Sequence, residues 1–362
     1  MMPKFLTLEK EVFGLDISDE SLKIIKLKKR GKSFNLSSFN CMDIKPGIIE
    51  KGIIQNEDVL AKIIQVACKN VKGEKLNTKY VIVSLPEEKS FLQVIQMPKM
   101  EESELKSAII FEAENYIPLP INEVYLDFQI IPPIKENANH LDVLIVAMPK
   151  KIVNSYVYCL KKAGLIPLIF EIESQAIARA LVKNEISLSP IVLIDFGKTT
   201  TDFIVFSGHS IYFTYSIPVS SGQLTMAISK YLEISLEKAE KIKIKYDLNN
   251  IRTDLEKKIL QAINPVLEDL VAQIKKYLNF YQDHASHEHI SPGEKIKKIL
   301  LCGGGTNLKG LPELLFKKLE IPVEIGDFWI NFPSKQKKNN IQGDLLPFIT
   351  ALGLALRGLN NN

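Results

Sequence analysis

The feature of this sequence that most constrains its fold is a strand-turn-strand pattern that occurs twice. Residues 12–27 and 191–206 each carry an apolar strand, a turn of small or polar residues and a second apolar run. Each first strand ends in an aspartate, Asp16 or Asp195. Short apolar runs bounded by turn residues are typical of hairpin strands. The repetition in the two halves of the chain indicates an internal duplication.

The length of the chain fits this division. Its 362 residues, 46% of them hydrophobic, are enough for about two domain-sized cores, since domains usually run to roughly 100 to 200 residues. We expect a first domain over residues 1–190, with an inserted α+β subdomain at 79–148, and a second over 191–362. The last helix, 345–357, is predicted to pack back on the first domain, because its all-round apolarity favours burial over a membrane surface.

Helical and strand periodicities alternate between the hairpins, which favours an α/β fold. Residues 222–247 are predicted to be helical, and so are residues 251–284, where Pro265 should kink the helix or mark a boundary. The polar stretch 334–344 is predicted to be a loop. Further helices are predicted at 57–70, 101–116 and 149–163, and strands at 80–85, 89–97, 123–131, 141–148, 165–172 and 298–302.

Composition argues against several classes of protein. The formal net charge is only +4, which gives no strong reason to expect nucleic acid as a partner. The four cysteines lie far apart and form no C-x-x-C pair, as expected in a reducing cytosol. The first residues lack the apolar core of a secretory signal, and no stretch approaches the roughly 20 apolar residues that span a bilayer. We therefore expect a soluble cytoplasmic protein that reaches the membrane only through partners.

The two turns have the composition of phosphate-binding loops. Backbone N–H groups in such turns can face phosphate oxygens, while a strand-end carboxylate holds hydrated Mg²⁺. In the second turn, Gly197 permits close backbone approach and Thr199–Thr201 supply hydroxyl groups. The first turn, GLDISDESLK, is weaker evidence, because hairpins with an aspartate are common. Two such turns facing each other would clamp a triphosphate.

A third motif, ILLCGGGTNLKGLPELL, joins a strand to a helical run through three glycines. Gly303–Gly305 would let the backbone lie flat against a planar ligand. The motif is not a dinucleotide fingerprint, because the G-x-G-x-x-G spacing and the later acidic residue are missing. A lone triple glycine is usually a loop, but its place after two phosphate-type turns is much more specific.

Five motifs resemble those of the actin and heat-shock chaperone ATPase superfamily. GLDISDESLK, IESQAIARAL, IDFGKTTTD, CGGGTNLKGL and ALGLALRG are similar to its phosphate 1, connect 1, phosphate 2, adenosine and connect 2 motifs, and they span almost the whole chain. The resemblance implies an actin-like, ribonuclease H-like two-domain α/β fold. PVSSGQLTMAISKYLEISLEKAEKIK and the stretch from VIVSLPEEK to VYLDF are similar to the PilM family of type IV pilus assembly and to its relative FtsA.

The resemblance also implies ATP and Mg²⁺ as ligands and assigns roles to particular residues. Asp16 and Asp195 would hold Mg²⁺ through water, and Lys23 would reach the phosphates. Glu173 lies where the superfamily often positions the attacking water. The other implied nucleotide contacts are Ser18, Gly197, Thr199, Thr200, Glu240, Lys243, Gly303, Gly304, Gly305 and Asn307, of which Glu240 and Lys243 would approach the ribose and adenine.

The first phosphate turn departs from the superfamily pattern. Ser18 replaces the usual glycine, and Asp19 and Glu20 follow it. An acidic side chain about 4 Å from a phosphate charge is unfavourable by about 1 kcal/mol in water. Lys198, in the opposite loop, could offset this charge. We expect weakened triphosphate binding or turnover, and at most a slow ATPase.

The resemblance to PilM implies a nucleotide-gated scaffold in a type IV pilus or a related secretion or competence machine. ATP would close the cleft and alter a groove, beside the inserted subdomain, that binds the cytoplasmic N-terminal peptide of a PilN-like inner-membrane protein. The protein would work at the inner face of the cytoplasmic membrane with other pilus assembly proteins, and self-association is left open. One alternative is an FtsA-like division filament protein, which needs a membrane-targeting tail that this sequence does not show. The other is a small-molecule kinase, which needs a catalytic aspartate in a substrate loop of the first half, where no residue stands out as a candidate.

Overall fold

The computed structural model describes residues 10–31, 33–133, 139–284, 295–332 and 345–360. The strands are β1 (Phe13–Ile17), β2 (Ser21–Arg30), β3 (Ser33–Asp43), β4 (Ile49–Glu50), β5 (Ile53–Ile54), β6 (Lys72–Gly73), β7 (Tyr80–Leu85), β8 (Phe91–Pro98), β9 (Val124–Ile131), β10 (His140–Pro149), β11 (Ile166–Ile172), β12 (Ser187–Phe196), β13 (Thr201–Gly208), β14 (Ser210–Ile217), β15 (Ile299–Cys302) and β16 (Val323–Ile325). The helices are α1 (Glu57–Lys69), α2 (Glu102–Ala113), α3 (Lys150–Lys162), α4 (Glu173–Leu181), α5 (Ser221–Leu232), α6 (Leu236–Lys245), α7 (Asp254–His284), α8 (Leu311–Leu319) and α9 (Ile349–Asn360).

The two large sheets share one plan. In the first, the strand order is β11-β7-β1-β2-β3-β6, with β1, β2 and β3 as an antiparallel meander and β7 and β11 parallel to β1. In the second, the order is β14-β13-β12-β15-β16, with an antiparallel meander of β12, β13 and β14 and with β15 and β16 parallel to β12. The shared plan agrees with the duplication that the two hairpins predicted.

Helices cover the sheets in alternating layers. Helices α1 and α3 pack on the outer face of the first sheet, and α5, α6, α7 and α8 pack on the outer face of the second. The first turn of α1 is capped by Asn56, whose side chain accepts a hydrogen bond from the Val59 N–H. Helices α4 and α9 lie between the two sheets and share one apolar cluster with both. The resulting order of layers is α/β/α/β/α.

Helix α9 is buried between the sheets, as its apolar sequence predicted. Ile349, Leu352 and Leu354 are at most 1% exposed. The helix packs on β1, β2, β7 and α4. Contact with α4 is so close that a Cβ added to Gly353 would lie 1.8 Å from the backbone oxygen of Ala176. Glycine at this position therefore sets the distance between the two central helices.

The inserted subdomain is smaller than the sequence predicted. Its sheet has the order β8-β10-β9, and α2 covers one face through Leu105, Ile109 and Ala113. The predicted start at residue 79 placed Tyr80–Leu85 in this subdomain. That strand is β7, which lies between β1 and β11 in the first sheet, because its run of buried side chains pairs in parallel with β1.

The helices of the second half also differ in detail from the prediction. The predicted helical segment 222–247 is two helices, α5 and α6, because Glu233 takes a left-handed conformation (φ 53°) that ends α5. Pro265 lies inside α7, which continues as one helix. The predicted loop 334–344 lies outside the described residues. In the described part of the chain, no helix has the length and apolar character required to cross a bilayer.

Candidate functional site

A cleft of about 260 Å³ opens between the two halves, where the first hairpins of both sheets end. The adenosine-type motif and the segment that leads into α9 complete its walls. Most of the residues predicted for a nucleotide site meet here. Those on the cleft wall are Asp16, Ser18, Lys23, Glu173, Asp195, Gly197, Thr199, Thr200, Glu240, Gly303, Gly304 and Asn307.

Two side chains contact Asp16, which lies near the end of β1 just before the first turn. Its Oδ2 lies 3.1 Å from Lys23 Nζ, since the two residues are cross-strand partners in the hairpin. Its Oδ1 accepts a hydrogen bond of 2.9 Å from Ser84 Oγ, on the parallel strand β7. Burial lowers the pKa of Lys23, but the charge and hydrogen bond of Asp16, together with the nearby Cys41 and Asp195, outweigh burial, so the net shift of this pKa is upward. Lys23 therefore remains a cation inside the cleft.

The two acidic residues that were expected to disfavour phosphate are both engaged by other groups. The Asp19 carboxylate accepts hydrogen bonds from the backbone N–H groups of Lys51 (2.8 Å) and Gly52 (2.9 Å). Glu20 lines the cleft and its Oε2 lies 2.8 Å from Lys198 Nζ, on the opposite turn. Lys198 thus reaches toward the first turn, an orientation that the sequence left open. The Glu20–Lys198 ion pair connects the two turns across the cleft.

The second turn is shaped by Gly197. Its N–H donates to the Thr200 carbonyl (3.0 Å), and a Cβ at this position would lie 2.7 Å from the same oxygen. The Gly197 carbonyl accepts from the N–H of Ser221, the first residue of α5. This helix begins with a capping box formed by Ser220 and Gln223. The turn therefore lies against a helix N-terminus, where the helix dipole favours an anion.

Three carboxyl groups deeper in the cleft have raised pKa values. Burial raises the pKa of Asp195 to about 6; the Lys23 charge opposes the shift, and the Asp16 charge adds to it. Burial also raises the pKa of Glu173 well above its usual range, with a further contribution from Asp202. The pKa of Asp202 is raised in the same way, by burial and then by neighbouring carboxylates. Such a cluster favours protons or a cation over free negative charge.

Glu87, which the sequence did not indicate, positions Glu173. The Glu87 N–H donates to Glu173 Oε2, and Glu87 Oε2 accepts from the N–H of Ser174; both distances are 3.0 Å. The two glutamates therefore exchange hydrogen bonds between the segment after β7 and the first turn of α4. This exchange fixes the start of α4 and the orientation of the Glu173 carboxyl group.

In the adenosine-type motif, two glycines are required by close packing. Gly303 has φ +84°, and a Cβ there would lie 2.1 Å from Asp195 Oδ1. A Cβ at Gly305 would lie 2.4 Å from the ring of Phe196. Gly305 is buried behind the cleft wall rather than on it. In the described structure Gly305 therefore packs against Phe196, and its contact with the base stays a prediction.

Lys243 also lies behind the wall. Its Nζ donates to the Ser221 carbonyl (3.0 Å) and to Thr225 Oγ1 (2.8 Å), and it lies 2.8 Å from Glu240 Oε2. Burial lowers its pKa, although Glu240 opposes the shift. Lys243 therefore supports Glu240, which does line the cleft, instead of facing the ligand space as predicted.

Several other residues on or beside the cleft were missed, and one of them had a detectable signal. Asp202 is the cross-strand partner of Asp195, as Lys23 is of Asp16, so aligning the two hairpins would have indicated it. The others are brought in by pairing and packing between segments distant in sequence, for which the local sequence carries no signal. They are Cys41, Ser84, Glu87, Ser221, Ile244, Pro347 and Thr350.

Solved structures similar to this chain share its architecture. A chain of the PilM-PilN type IV pilus biogenesis complex is 26% identical with a TM-score of 0.80, and the alignment covers 97% of this chain and 99% of that chain. MreB 5 of Spiroplasma citri bound to AMPPNP is 14% identical with a TM-score of 0.56, over 98% of each chain. The second likeness concerns the fold alone.

Curated relatives include the cell division protein FtsA. The protein from Pseudomonas aeruginosa (strain PAO1) is 23% identical over 220 residues, which cover 56% of this chain and 50% of FtsA. The protein from Borreliella burgdorferi (strain B31) is 27% identical over 183 residues, 47% of this chain and 44% of FtsA. The chain thus spans half or less of the length of these relatives.

The family follows from a match over nearly the whole chain. The family model for type IV pilus assembly protein PilM matches residues 14–359. Together with the shared plan of the two sheets and the structural matches, this confirms the predicted actin-like two-domain α/β fold. The chain belongs to the type IV pilus assembly protein PilM family.

Proposed function

We propose that the protein binds ATP with Mg²⁺ in the cleft and thereby controls the docking of a PilN-like peptide during type IV pilus assembly. The observation that carries the proposal is the meeting of two phosphate-type turns, from two sheets of the same plan, around Lys23. The two bodies that would close on the nucleotide are residues 1–190 and 191–362. Gly303, Gly304 and Asn307 are proposed to lie beside the base, and Glu240 beside the ribose.

The donor set of the cleft fits Mg²⁺. Hard divalent cations prefer carboxylate and water oxygens, and Asp16 and Asp195 present carboxylates at corresponding strand ends. Burial raises the pKa of Asp195 although the Lys23 charge opposes the shift, and a divalent cation would add the positive charge that favours the ionised form. We propose that these two residues hold the cation through water, while Lys23 and Lys198 neutralise the phosphates.

The state of Glu173 supports slow turnover at most. A general base must be ionised near the working pH, whereas burial raises the pKa of Glu173 well above its usual range. The surroundings of this carboxyl group therefore disfavour its ionised form, which is the form that a general base needs. The carboxyl group can orient a water molecule by hydrogen bonding, but it is a poor proton acceptor.

A second cavity, of about 470 Å³, is proposed as the peptide groove. It lies between the β4–β5 hairpin and α3, and Ile53, Ile54 and Tyr158 give it apolar walls with charged residues at the rim. Asn154 on its wall accepts a hydrogen bond of 3.1 Å from the Tyr125 hydroxyl of the inserted subdomain. The groove therefore borders the insert, where the sequence resemblance placed the docking site.

The proposed occupant is the cytoplasmic N-terminal peptide of a PilN-like inner-membrane protein. A solved structure that is similar over 97% of this chain is a PilM-PilN complex, and an apolar groove with a polar rim suits an extended peptide with alternating anchors. Docking of this peptide would hold the protein at the inner face of the cytoplasmic membrane. Other pilus assembly proteins would join through the membrane partner.

Nucleotide binding is tested by titrating a fluorescent ATP analogue with Mg²⁺. Wild type should bind, Asp195→Ala should lose binding, and Asp269→Ala, which removes an exposed aspartate on α7, should bind like wild type. Absence of binding by folded wild type would refute the nucleotide part of the proposal.

Peptide docking is tested by fluorescence anisotropy with a labelled N-terminal PilN peptide. Ile53→Lys places a charge on the apolar wall, where the side chain is 40% exposed, and should weaken binding about tenfold or more, because the peptide would bury an unpaired charge. Leu188→Lys is a matched control, because Leu188 is an exposed apolar residue on β12, a strand of the second sheet that is not part of the groove wall. Equal losses in both variants would show that the groove is not the docking site.

A further inference from the structure

The turn between β1 and β2 contacts the wall of the second cavity through one side chain. The Asp19 side chain does not line the cleft and instead accepts two hydrogen bonds from the β4–β5 turn. Its Oδ2 accepts from the Lys51 N–H (2.8 Å), and its Oδ1 accepts from the Gly52 N–H (2.9 Å). Both donors belong to the turn between β4 and β5. A contact that uses both oxygens of a carboxyl group fixes orientation as well as distance.

The receiving turn has little conformational freedom. Lys51 (φ 49°) and Gly52 (φ 72°) are consecutive left-handed residues, as expected for a two-residue hairpin turn. A Cβ on Gly52 would lie 2.6 Å from Pro86 Cβ, so the turn lies tightly against the segment that follows β7. This segment contains Glu87, whose N–H is bonded to Glu173 in the cleft. A movement of Asp19 therefore cannot be absorbed by local bending of the turn alone.

The other side of the same turn forms part of the proposed peptide groove. Gly52 and Ile53 line the cavity. The Gly52 carbonyl accepts a hydrogen bond of 3.3 Å from the buried Tyr156 hydroxyl, also on the cavity wall. This two-residue turn thus donates both of its backbone N–H groups to Asp19 of the phosphate turn, and its Gly52 carbonyl accepts a hydrogen bond from the groove wall.

We propose that Asp19 is the residue that couples nucleotide occupancy in the cleft to the shape of the groove. Phosphate contacts with the Ser18–Ser21 turn would shift Asp19, and its two hydrogen bonds would carry the shift to Lys51 and Gly52. A ligand moves an equilibrium only through different affinities for the two states, and the coupling is reciprocal. Mg-ATP and the peptide should therefore change each other's affinity by the same factor. This inference rests on the proposed function.

The experiment measures that factor as the ratio of peptide dissociation constants without and with saturating Mg-ATP. We expect a ratio of about 5 or more, or its inverse, in wild type, and a ratio near 1 in Asp19→Ala, with each ligand still binding alone. Lys51→Gly is the matched control, because it keeps the backbone N–H and the left-handed conformation, and it should keep the coupling. Retention of the wild-type ratio in Asp19→Ala, or a wild-type ratio of 1, would overturn the inference.

A second readout follows the turn itself. Hydrogen–deuterium exchange of residues 49–54 should change when Mg-ATP is added to wild type without peptide and should stay constant in Asp19→Ala. If folded wild type binds neither ligand, the proposed function and this inference both fail. If wild type binds both and exchange in the turn changes equally in the two proteins, only the assignment of Asp19 fails.

Discussion

Replacing Asp195 by asparagine removes a carboxyl group whose ionisation opposes folding. In the ordinary unfolded chain its pKa is 3.8, and in the folded protein burial raises it to about 6. The folded state therefore binds the proton more tightly, so the free energy of unfolding falls as the pH rises between these two values. A shift of about 2 pKa units corresponds to about 3 kcal/mol, of which about 1.4 kcal/mol is lost between pH 5 and pH 8. The asparagine variant has no ionisable group at this position, so its free energy of unfolding does not fall in this way as the pH rises.

The assay is urea unfolding of ligand-free wild type and Asp195→Asn at pH 5 and pH 8. The free energy of unfolding of the variant, relative to wild type, should rise by about 1.4 kcal/mol between the two pH values. The same substitution should abolish binding of Mg-ATP, so the variant would gain stability at high pH while losing its ligand. Asp269→Asn, an exposed position on α7, provides the control and should follow the wild-type pH profile.

A relative stability of Asp195→Asn that is the same at both pH values would refute this reasoning, whatever its absolute level. A constant loss at both pH values would mean that the carboxylate is stabilised by contacts that asparagine cannot replace. A relative stability that falls with rising pH would mean that the pKa of Asp195 in the folded protein lies below 3.8, with Lys23 outweighing burial.

Three further outcomes are expected. Gly353→Ala should lower the free energy of unfolding by about 3 kcal/mol, because the added Cβ would lie 1.8 Å from the Ala176 oxygen. Unfolding in urea measures this loss. A loss below about 0.5 kcal/mol would contradict the close packing of α4 on α9. Arg179→Met should lower the free energy of unfolding by about 3–5 kcal/mol, because it leaves the buried Glu171 carboxylate without its two guanidinium hydrogen bonds. Adding Glu171→Met should restore much of this stability. Additive losses in a double-mutant cycle of the two positions would argue against a coupled pair. Glu20→Gln should tighten Mg-ATP binding about fivefold at low salt, because it removes about 1 kcal/mol of repulsion between the carboxylate and the phosphates. Titration with the nucleotide measures this change. An unchanged affinity would show that the ion pair with Lys198 already neutralises Glu20.

The features that the sequence predicted well are those set by local pattern. Each hairpin strand is short, apolar and bounded by polar turn residues, so Asp16 and Asp195 could be placed at strand ends without knowledge of the rest of the chain. That the two turns would face a common cleft was an expectation from the superfamily resemblance rather than from the local pattern.

Two of the features that the sequence did not predict depend on packing between distant segments, and a third, the end of α5, is a local change of backbone conformation. Glu233 is an ordinary helix former by propensity, yet its left-handed conformation separates α5 from α6. Glu87 follows an apolar strand like many surface glutamates, and only the parallel pairing of β7 with β1 and β11 brings it to Glu173. Lys243 shares a helical face with Glu240, but the fold buries its amino group against Ser221 and Thr225.

The central position of α9 has a consequence for the order in which the protein can be completed during synthesis. The helix spans Ile349–Asn360, yet it covers β1 and β2 and fills the apolar cluster that contains Ile25 and Leu27. A nascent chain therefore carries an uncovered apolar sheet face until residues 349–360 have been translated, and such a surface is of the kind that chaperones protect. Since Pro347 and Thr350 also belong to the cleft wall, the ligand site is finished only when this last helix arrives. Release of the chain before this point would yield neither a closed core nor a nucleotide site.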